Sequence, residues 1–201
     1  MSGRHTIALG LFALVATVAM IPIAPVYAQI KGDPARGEAK AATCVACHGA
    51  AGAAPLAGLP ALAGQPAQYL QLQMILFREG LRDSPQMAPF MKPLSDADLD
   101  DLAVYFSRSA APKSAGTRDS ALHERGAVIA KRMSCGSCHL ADYTGQQQIP
   151  RLALQREDYL FEAMKAYREN QRVGTDTSMN GVLNGVSDPD LRALSHYFAQ
   201  F

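Results

Sequence analysis

One five-residue pattern, Cys-x-x-Cys-His, occurs twice in this chain. The copies are Cys44-Val45-Ala46-Cys47-His48 and Cys135-Gly136-Ser137-Cys138-His139. They use all four cysteines of the 201 residues. The spacing is the attachment signature of c-type haem. Two thiols one helical turn apart add across the two vinyl groups of a single porphyrin, and the adjoining His turns its imidazole to the iron from the proximal side. Rival uses of the cysteines fit less well. A thioredoxin-like redox pair needs a βαβ setting, and the chain shows almost no strand pattern. A zinc site needs four ligands, usually as two spaced pairs, and each cluster here offers three in one turn. A disulfide framework gives no reason for His after the second Cys both times. Cys44, Cys47, Cys135 and Cys138 are therefore expected to hold two covalently bound haem c groups, with His48 and His139 as axial ligands.

The N-terminus reads as an export signal. Arg4 and His5 precede an apolar run from Ile7 to about Ile23, and Val26-Tyr27-Ala28 offers a cleavage site before Gln29. Pro22, Pro25 and the shortness of the run argue against a spanning anchor, which needs ~20 apolar residues. No other segment reads as membrane-spanning. Export agrees with haem attachment outside the bacterial inner membrane, so the expected compartment is the periplasm. Without Arg4 the 19 basic residues fall to 18, matching the 18 acidic ones. With no basic stripe, nucleic acid is excluded as a partner.

Beyond the signal, the chain is two copies of one unit. Leu59-Pro60-Ala61-Leu62-Ala63-Gly64-Gln65 is echoed by Ile149-Pro150-Arg151-Leu152-Ala153-Leu154-Gln155, and Tyr69, Leu70, Met74 and Arg78 by Tyr159, Leu160, Met164 and Arg168, each 90 residues on. The haem motifs are 91 apart, and Tyr105-Phe106 returns 92 later as Tyr197-Phe198. An offset that changes only in loops marks a tandem duplication. Helical periodicity is expected over Ala35–Thr43, over Pro66–Glu79 with Leu70, Met74 and Phe77 on one face, and in a helix carrying Leu99, Leu102 and Phe106. Asp33-Pro34 starts the first of these, and Ser95 with Asp98 resembles a capping box for the last. Gly37 would permit close approach of another helix. Asp96, Asp98, Asp100 and Asp101 read as a solvated helix cap ahead of a docking patch. The stretch from Ser107 to about Arg125 is polar and reads as a linker. The expected architecture is all-α: signal peptide 1–28, a first haem domain 29–108, a linker 109–122 and a second haem domain 123–201. Each unit is small enough that polypeptide alone makes a marginal core, which a buried haem would complete.

The sixth iron position separates electron transfer from open-site chemistry. Met87 and Met179 lie in loops, each eight residues before a capping serine, Ser95 or Ser187. They follow the axial histidines by 39 and 40 residues and are the expected distal ligands. Met74 and Met164 lie on an apolar helical stripe and read as core. Met91 is a local rival, but Leu183 stands in its place in the second unit. His123 and His196 have no repeat mates and read as surface or linker histidines. The carbonyls of Pro60 and Pro150 are expected to accept the second ring N–H of His48 and His139. Tyr69, Tyr159, Arg78 and Arg168 are candidates for haem propionates, with helix-surface packing an equal reading. Met/His ligation fills all six iron positions, so the protein is expected to carry electrons rather than to act as an enzyme.

The two motifs, the leader Ala63-Gly64-Gln65-Pro66-Ala67-Gln68-Tyr69-Leu70, and Met87 ahead of Pro93–Leu99 and Ala103-Val104-Tyr105-Phe106 together resemble the dihaem cytochrome c4 family. The resemblance covers nearly all of the mature chain and is closer in the first unit. It implies two tandem cytochrome c-type helical domains with facing haems, and periplasmic electron delivery, often towards terminal oxidases. The expected partners are redox proteins: a membrane oxidase, a quinol–cytochrome c reductase or a periplasmic dehydrogenase. The alternative is a dihaem subunit bound tightly to such a dehydrogenase, as in flavin-containing sulfide dehydrogenases. A dihaem enzyme, such as a peroxidase or thiosulfate dehydrogenase, fits less well with paired methionines in so short a chain.

Overall fold

The computed structural model describes residues 30–114, 116–172 and 177–201. The signal-peptide expectation lies outside the described residues. The described chain is helical throughout apart from one isolated bridge, Gln146 with Ile149. The first domain runs α1 (Pro34–Ala41), α2 (Val45–His48), α3 (Ala67–Arg78), α4 (Ala88–Met91) and α5 (Asp96–Arg108). The second repeats this as α6 (Ser120–Arg132), α7 (Gly136–His139), α8 (Glu157–Arg168), α9 (Ser178–Leu183) and α10 (Asp188–Ala199). Two departures from the sequence expectations appear. The stretches around Met87 and Met179, expected as loops, contain the short helices α4 and α9, and α6 begins within the stretch read as linker because the Asp119 side chain accepts the N–H of Leu122 and caps it.

Each domain is built on a crossing of its first and last helices, α1 on α5 and α6 on α10. Glycine makes the crossing possible. A Cβ on Gly37 would stand 2.1 Å from the Asp101 carbonyl oxygen, and one on Gly126 would stand 2.2 Å from that of Ala193. These are backbone atoms of the partner helix and cannot swing aside. The close approach buries Leu99, Leu102 and Phe106 in the first domain and Leu191, Leu194 and Phe198 in the second. Each such side chain contributes about 1.5–3 kcal/mol. A backbone bond in each domain, Gly64 N–H to Phe106 O and Leu154 N–H to Phe198 O, then ties the loop before α3 or α8 to the end of the last helix.

The N-caps are secured differently in the two halves. Ser95 and Asp98 form a reciprocal capping box on α5, and Ser187 caps α10. Asp101, in contrast, is buried. It accepts the N–H of Asp33 at 2.7 Å and both Nε and Nη2 of Arg36, at 2.8 and 2.9 Å. The Arg36 hydrogen bonds hold its carboxyl below the usual range. Asp96 pairs with Arg78, Asp98 with Lys40, and Asp100 accepts from Gln71, so these four acids are engaged within the fold. In the second domain His196 takes the place of that carboxylate. Its Nε2 accepts the Asp119 N–H at 2.9 Å, and its Nδ1 donates to Glu157 at 2.8 Å. His196 is 3% exposed, so the surface reading of this residue is corrected. A lone His without a repeat mate gave no sign that a helix N-terminus would fold onto it. His123 is half-buried against the Tyr197 ring.

Gly37→Ala and Gly126→Ala should each cost about 2 kcal/mol or more, because overpacking against backbone outweighs the ~1 kcal/mol gain in helix propensity. Gly181→Ala, in α9 with open space around the added methyl, should be neutral or slightly stabilising. Thermal unfolding of the three variants checks the contrast.

Candidate haem sites

The two Cys-x-x-Cys-His motifs fold into matching single turns, α2 and α7. The turn puts the thiols on one side and carries the following imidazole inward. His48 and His139 are each 6% exposed. Cys44 and Cys135 are half-buried, Cys47 and Cys138 exposed, and none of the four is joined in a disulfide. Burial pulls both imidazoles below the ordinary His range. Each ring is therefore neutral at pH 7, the form that can donate a lone pair to iron. His48 Nδ1 lies 3.0 Å from Pro60 O, and His139 Nδ1 lies 2.8 Å from Pro150 O. A carbonyl has no proton to give, so Nδ1 carries the hydrogen and Nε2 is left as the free lone pair.

A cavity of about 650 Å³ runs between the two domains. Its wall is mostly apolar, with Leu70, Met74 and Phe77 facing Leu160 and Met164, and both His48 and His139 open onto it. Met87, at the N-cap of α4, and Met179, in the first turn of α9, are half-buried and line the same cavity. Met91 and its positional equivalent Leu183 are each 2% exposed, which fits both as core. Met164 also belongs to the core.

The seam beside this cavity has two-fold character. Gln65 exchanges two hydrogen bonds with the backbone of Arg151, donating Nε2 to its O and accepting its N–H, both at 2.9 Å. Gln155 does the same to Ala61, at 2.9 and 2.8 Å. Arg82 lies over the Phe77 ring and reaches Tyr159 in the other domain. Its repeat mate Arg172 lies over Tyr167 and reaches Tyr69 across the seam, as well as Tyr159. Arg78 and Arg168 do not join this set. They bind the Leu94 and Val186 carbonyls and pair with Asp96 and Asp188, so the propionate reading fails for them and the packing reading stands. Sequence reasoning missed the roles of Gln65, Gln155, Arg82, Arg172 and Arg151. The signal for the first four was present: each pair repeats at the 90-residue offset that joins Tyr69 to Tyr159.

The donor set suits haem. Arg82, Arg151 and Arg172 line the cavity, and among the described residues none has a carboxylate within ion-pair distance. Buried cations are costly without counter-charges, and burial brings Arg151 down to about 10. Haem would bring propionate carboxylates to this place, and apolar porphyrin faces to the rest of the wall. Two thiol pairs and two neutral imidazoles served by one apolar, cation-edged cavity define a dihaem c-type cytochrome.

Comparison with known proteins narrows the class. Residues 33–106 match the family model for cytochrome c oxidase, cbb3-type, subunit III, and residues 123–200 match that for cytochrome c. The chain is 36% identical over 181 residues to cytochrome c4 of Pseudomonas aeruginosa, an alignment covering 85% of this chain and 89% of that one. It is 33% identical over 171 residues to the thiosulfate dehydrogenase electron acceptor of Thiomonas intermedia, covering 80% and 79%. The crystal structure of reduced recombinant cytochrome c4 from Pseudomonas stutzeri superimposes with a TM-score of 0.74 at 35% identity, covering 84% of this chain and 98% of that one. The chain belongs to the cytochrome c4 family. It binds two haem c groups and is an electron-transfer protein.

Replacing Gln155 by Ala leaves the buried Ala61 N–H and C=O without partners. At about 1–3 kcal/mol for each unsatisfied group, the interdomain contact should weaken by about 2–6 kcal/mol. Calorimetry should then resolve a single unfolding transition into two, one for each domain.

Proposed function

We propose that the protein is a periplasmic electron carrier that shuttles between redox protein partners in a respiratory chain, a membrane oxidase or a quinol–cytochrome c reductase among them. The observation that carries this reading is the shared cavity. His48 and His139 line it from opposite domains, so haem held by each would put two one-electron centres beside one seam, and electrons entering at one domain could leave at the other. Cys44 and Cys47 hold one porphyrin and Cys135 and Cys138 the other, and haem supplies the one-electron ferric/ferrous couple. His48 and His139 serve as proximal ligands, oriented by the Pro60 and Pro150 carbonyls. Met87 and Met179 serve as distal ligands. Their support is positional: both start a short helix at the cavity wall, at matching places in the duplicated fold. With both axial positions filled by the chain, small ligands are kept off the iron and the reduction potential is raised.

A second reading gives the carrier a dedicated donor. The 33% identity to a protein named as a thiosulfate dehydrogenase electron acceptor favours a periplasmic dehydrogenase in that role. Stopped-flow reduction of the holoprotein decides between the two. Fast reduction by a quinol–cytochrome c reductase supports the respiratory shuttle. Fast reduction by a thiosulfate dehydrogenase alone supports the dedicated acceptor.

Met87→Ala and Met179→Ala should each let the ferrous holoprotein bind one carbon monoxide, the double variant two and the unaltered protein none. The potential of the opened haem should fall in each case. Carbon monoxide titration followed by absorbance checks the stoichiometry, and a variant that binds none removes that methionine from the coordination sphere.

A further inference from the structure

Met179 sits in a helix that cannot hold its own shape. α9 has six residues, far fewer than an isolated helix needs, and Gly181 occupies its middle. Thr177 at its N-cap offers no side-chain hydrogen bond. The equivalent helix of the first domain, α4, is pre-set in two ways. Pro89 restrains its first turn where α9 has Gly181, and Ser84 accepts the Met87 N–H through both O and Oγ, at 3.1 and 3.3 Å.

What α9 has instead is Asn180. Ala88 stands at this position in the first domain and has no side-chain donor. Asn180 is 8% exposed. Its Nδ2 donates to the Tyr167 carbonyl at 2.8 Å, the Arg172 carbonyl at 3.0 Å and Asn170 Oδ1 at 3.2 Å. Two of these acceptors are backbone carbonyls, so the amide must turn its N–H groups towards them. Its Oδ1 has no partner among the described residues, so the N–H pair carries the polar contribution of this buried side chain. All three acceptors belong to the last turn of α8 and the bend that follows it, where Asn170 takes a left-handed conformation with φ 57°. Carbonyls at a helix C-terminus lack partners in their own helix, and Asn180 supplies one from outside. Leu183, three residues on and so on the same face, is 2% exposed and belongs to the second-domain core. α9 is thus pinned along one face by Asn180 and Leu183, while Met179 stands half-buried at the cavity wall.

We propose that Asn180 is the positioning residue for Met179: its amide clamps α9 to the end of α8 and so keeps the Met179 thioether where the second-domain iron would take it as distal ligand. The clamp stands in for the restraint that Pro89 and Ser84 give α4. The proposal rests on the reading of Met179 as a ligand, which the Met179→Ala variant tests separately.

The test is imidazole binding to the ferric holoprotein, followed by NMR with the signals of each haem assigned. Imidazole enters only when the methionine has left the iron, so its apparent affinity scales with the open fraction. Losing the hydrogen bonds of the clamp should raise that fraction about tenfold. Asn180→Ala and Asn180→Leu should therefore each bind imidazole about tenfold more tightly at the second-domain haem, with the first-domain haem unchanged. The Leu variant fills the same volume without donors, so a Leu variant that behaves like the unaltered protein would make packing the cause and overturn the proposal. Unchanged affinity in both variants, or an equal rise at both haems, would overturn it too. Gly126→Ala loosens the same domain at the crossing of α6 and α10, away from the clamp. An equal rise there would reduce Asn180 to general stability. Adding Asn180→Ala to Met179→Ala should change nothing further. Imidazole binding that Met179→Ala leaves unaltered would remove the ligand reading and the proposal with it, whereas silent Asn180 variants beside a responsive Met179→Ala would overturn the proposal alone. Should the Ala variant fail to retain two haems, the Leu variant decides by the same outcomes.

Discussion

The bond from each buried histidine to a prolyl carbonyl is the constraint on which both the metal chemistry and the domain arrangement depend. His48 meets Pro60 O, and the very next residue, Ala61, is held at both its N–H and its C=O by Gln155 of the other domain. His139 meets Pro150 O, and Arg151 is held in the same way by Gln65. One extended strip of backbone per domain therefore does two jobs within two residues. It fixes the tautomer and aim of an axial imidazole, and it supplies the polar seam to the partner domain. A displacement of one domain against the other would pull on the strip that orients the iron ligand. The helices stand behind this strip as a rigid frame, since Gly37 and Gly126 lock the first and last helices together and a backbone bond anchors each strip to the end of the last helix.

Duplication explains why the seam is polar as well as apolar. A single domain of this kind would leave the strip after its proline exposed to water, with its amides satisfied there. Bringing two copies together removes that water, so the buried amides need new partners. The repeat supplies them economically. One glutamine in each copy, placed four residues after the residue it must mirror, serves the other copy's backbone, and a two-fold arrangement satisfies both from a single sequence rule. The arginines follow the same logic. Each rests on an aromatic ring of its own domain, Phe77 or Tyr167, and extends to a tyrosine of the other. Cations stabilised by ring faces and phenolic oxygens stay available to an incoming carboxylate, whereas cations already paired with Asp or Glu would not.

The all-helical fold, the duplication and the covalent haem chemistry were legible in the sequence because they rest on local patterns. Cys-x-x-Cys-His is a spacing within one turn, and Leu99, Leu102 and Phe106 announce a buried helical face by their period. The caps at Asp33, Ser95 and Ser187 are local too, and their side chains occupy the helix ends as their types suggest. What was not legible lies in contacts between distant segments. Asp101 looked like one more acid in a solvated cap, yet it lies under the N-terminus of α1, 68 residues away in sequence. His196 has no repeat mate, and the partners that hold it, Asp119 and Glu157, belong to distant segments 77 and 39 residues away. Arg78 and Arg168 repeat as faithfully as the seam tyrosines Tyr69 and Tyr159. Repetition marks a position as structural in both copies, but it does not say whether the side chain turns to the cavity or along the helix surface.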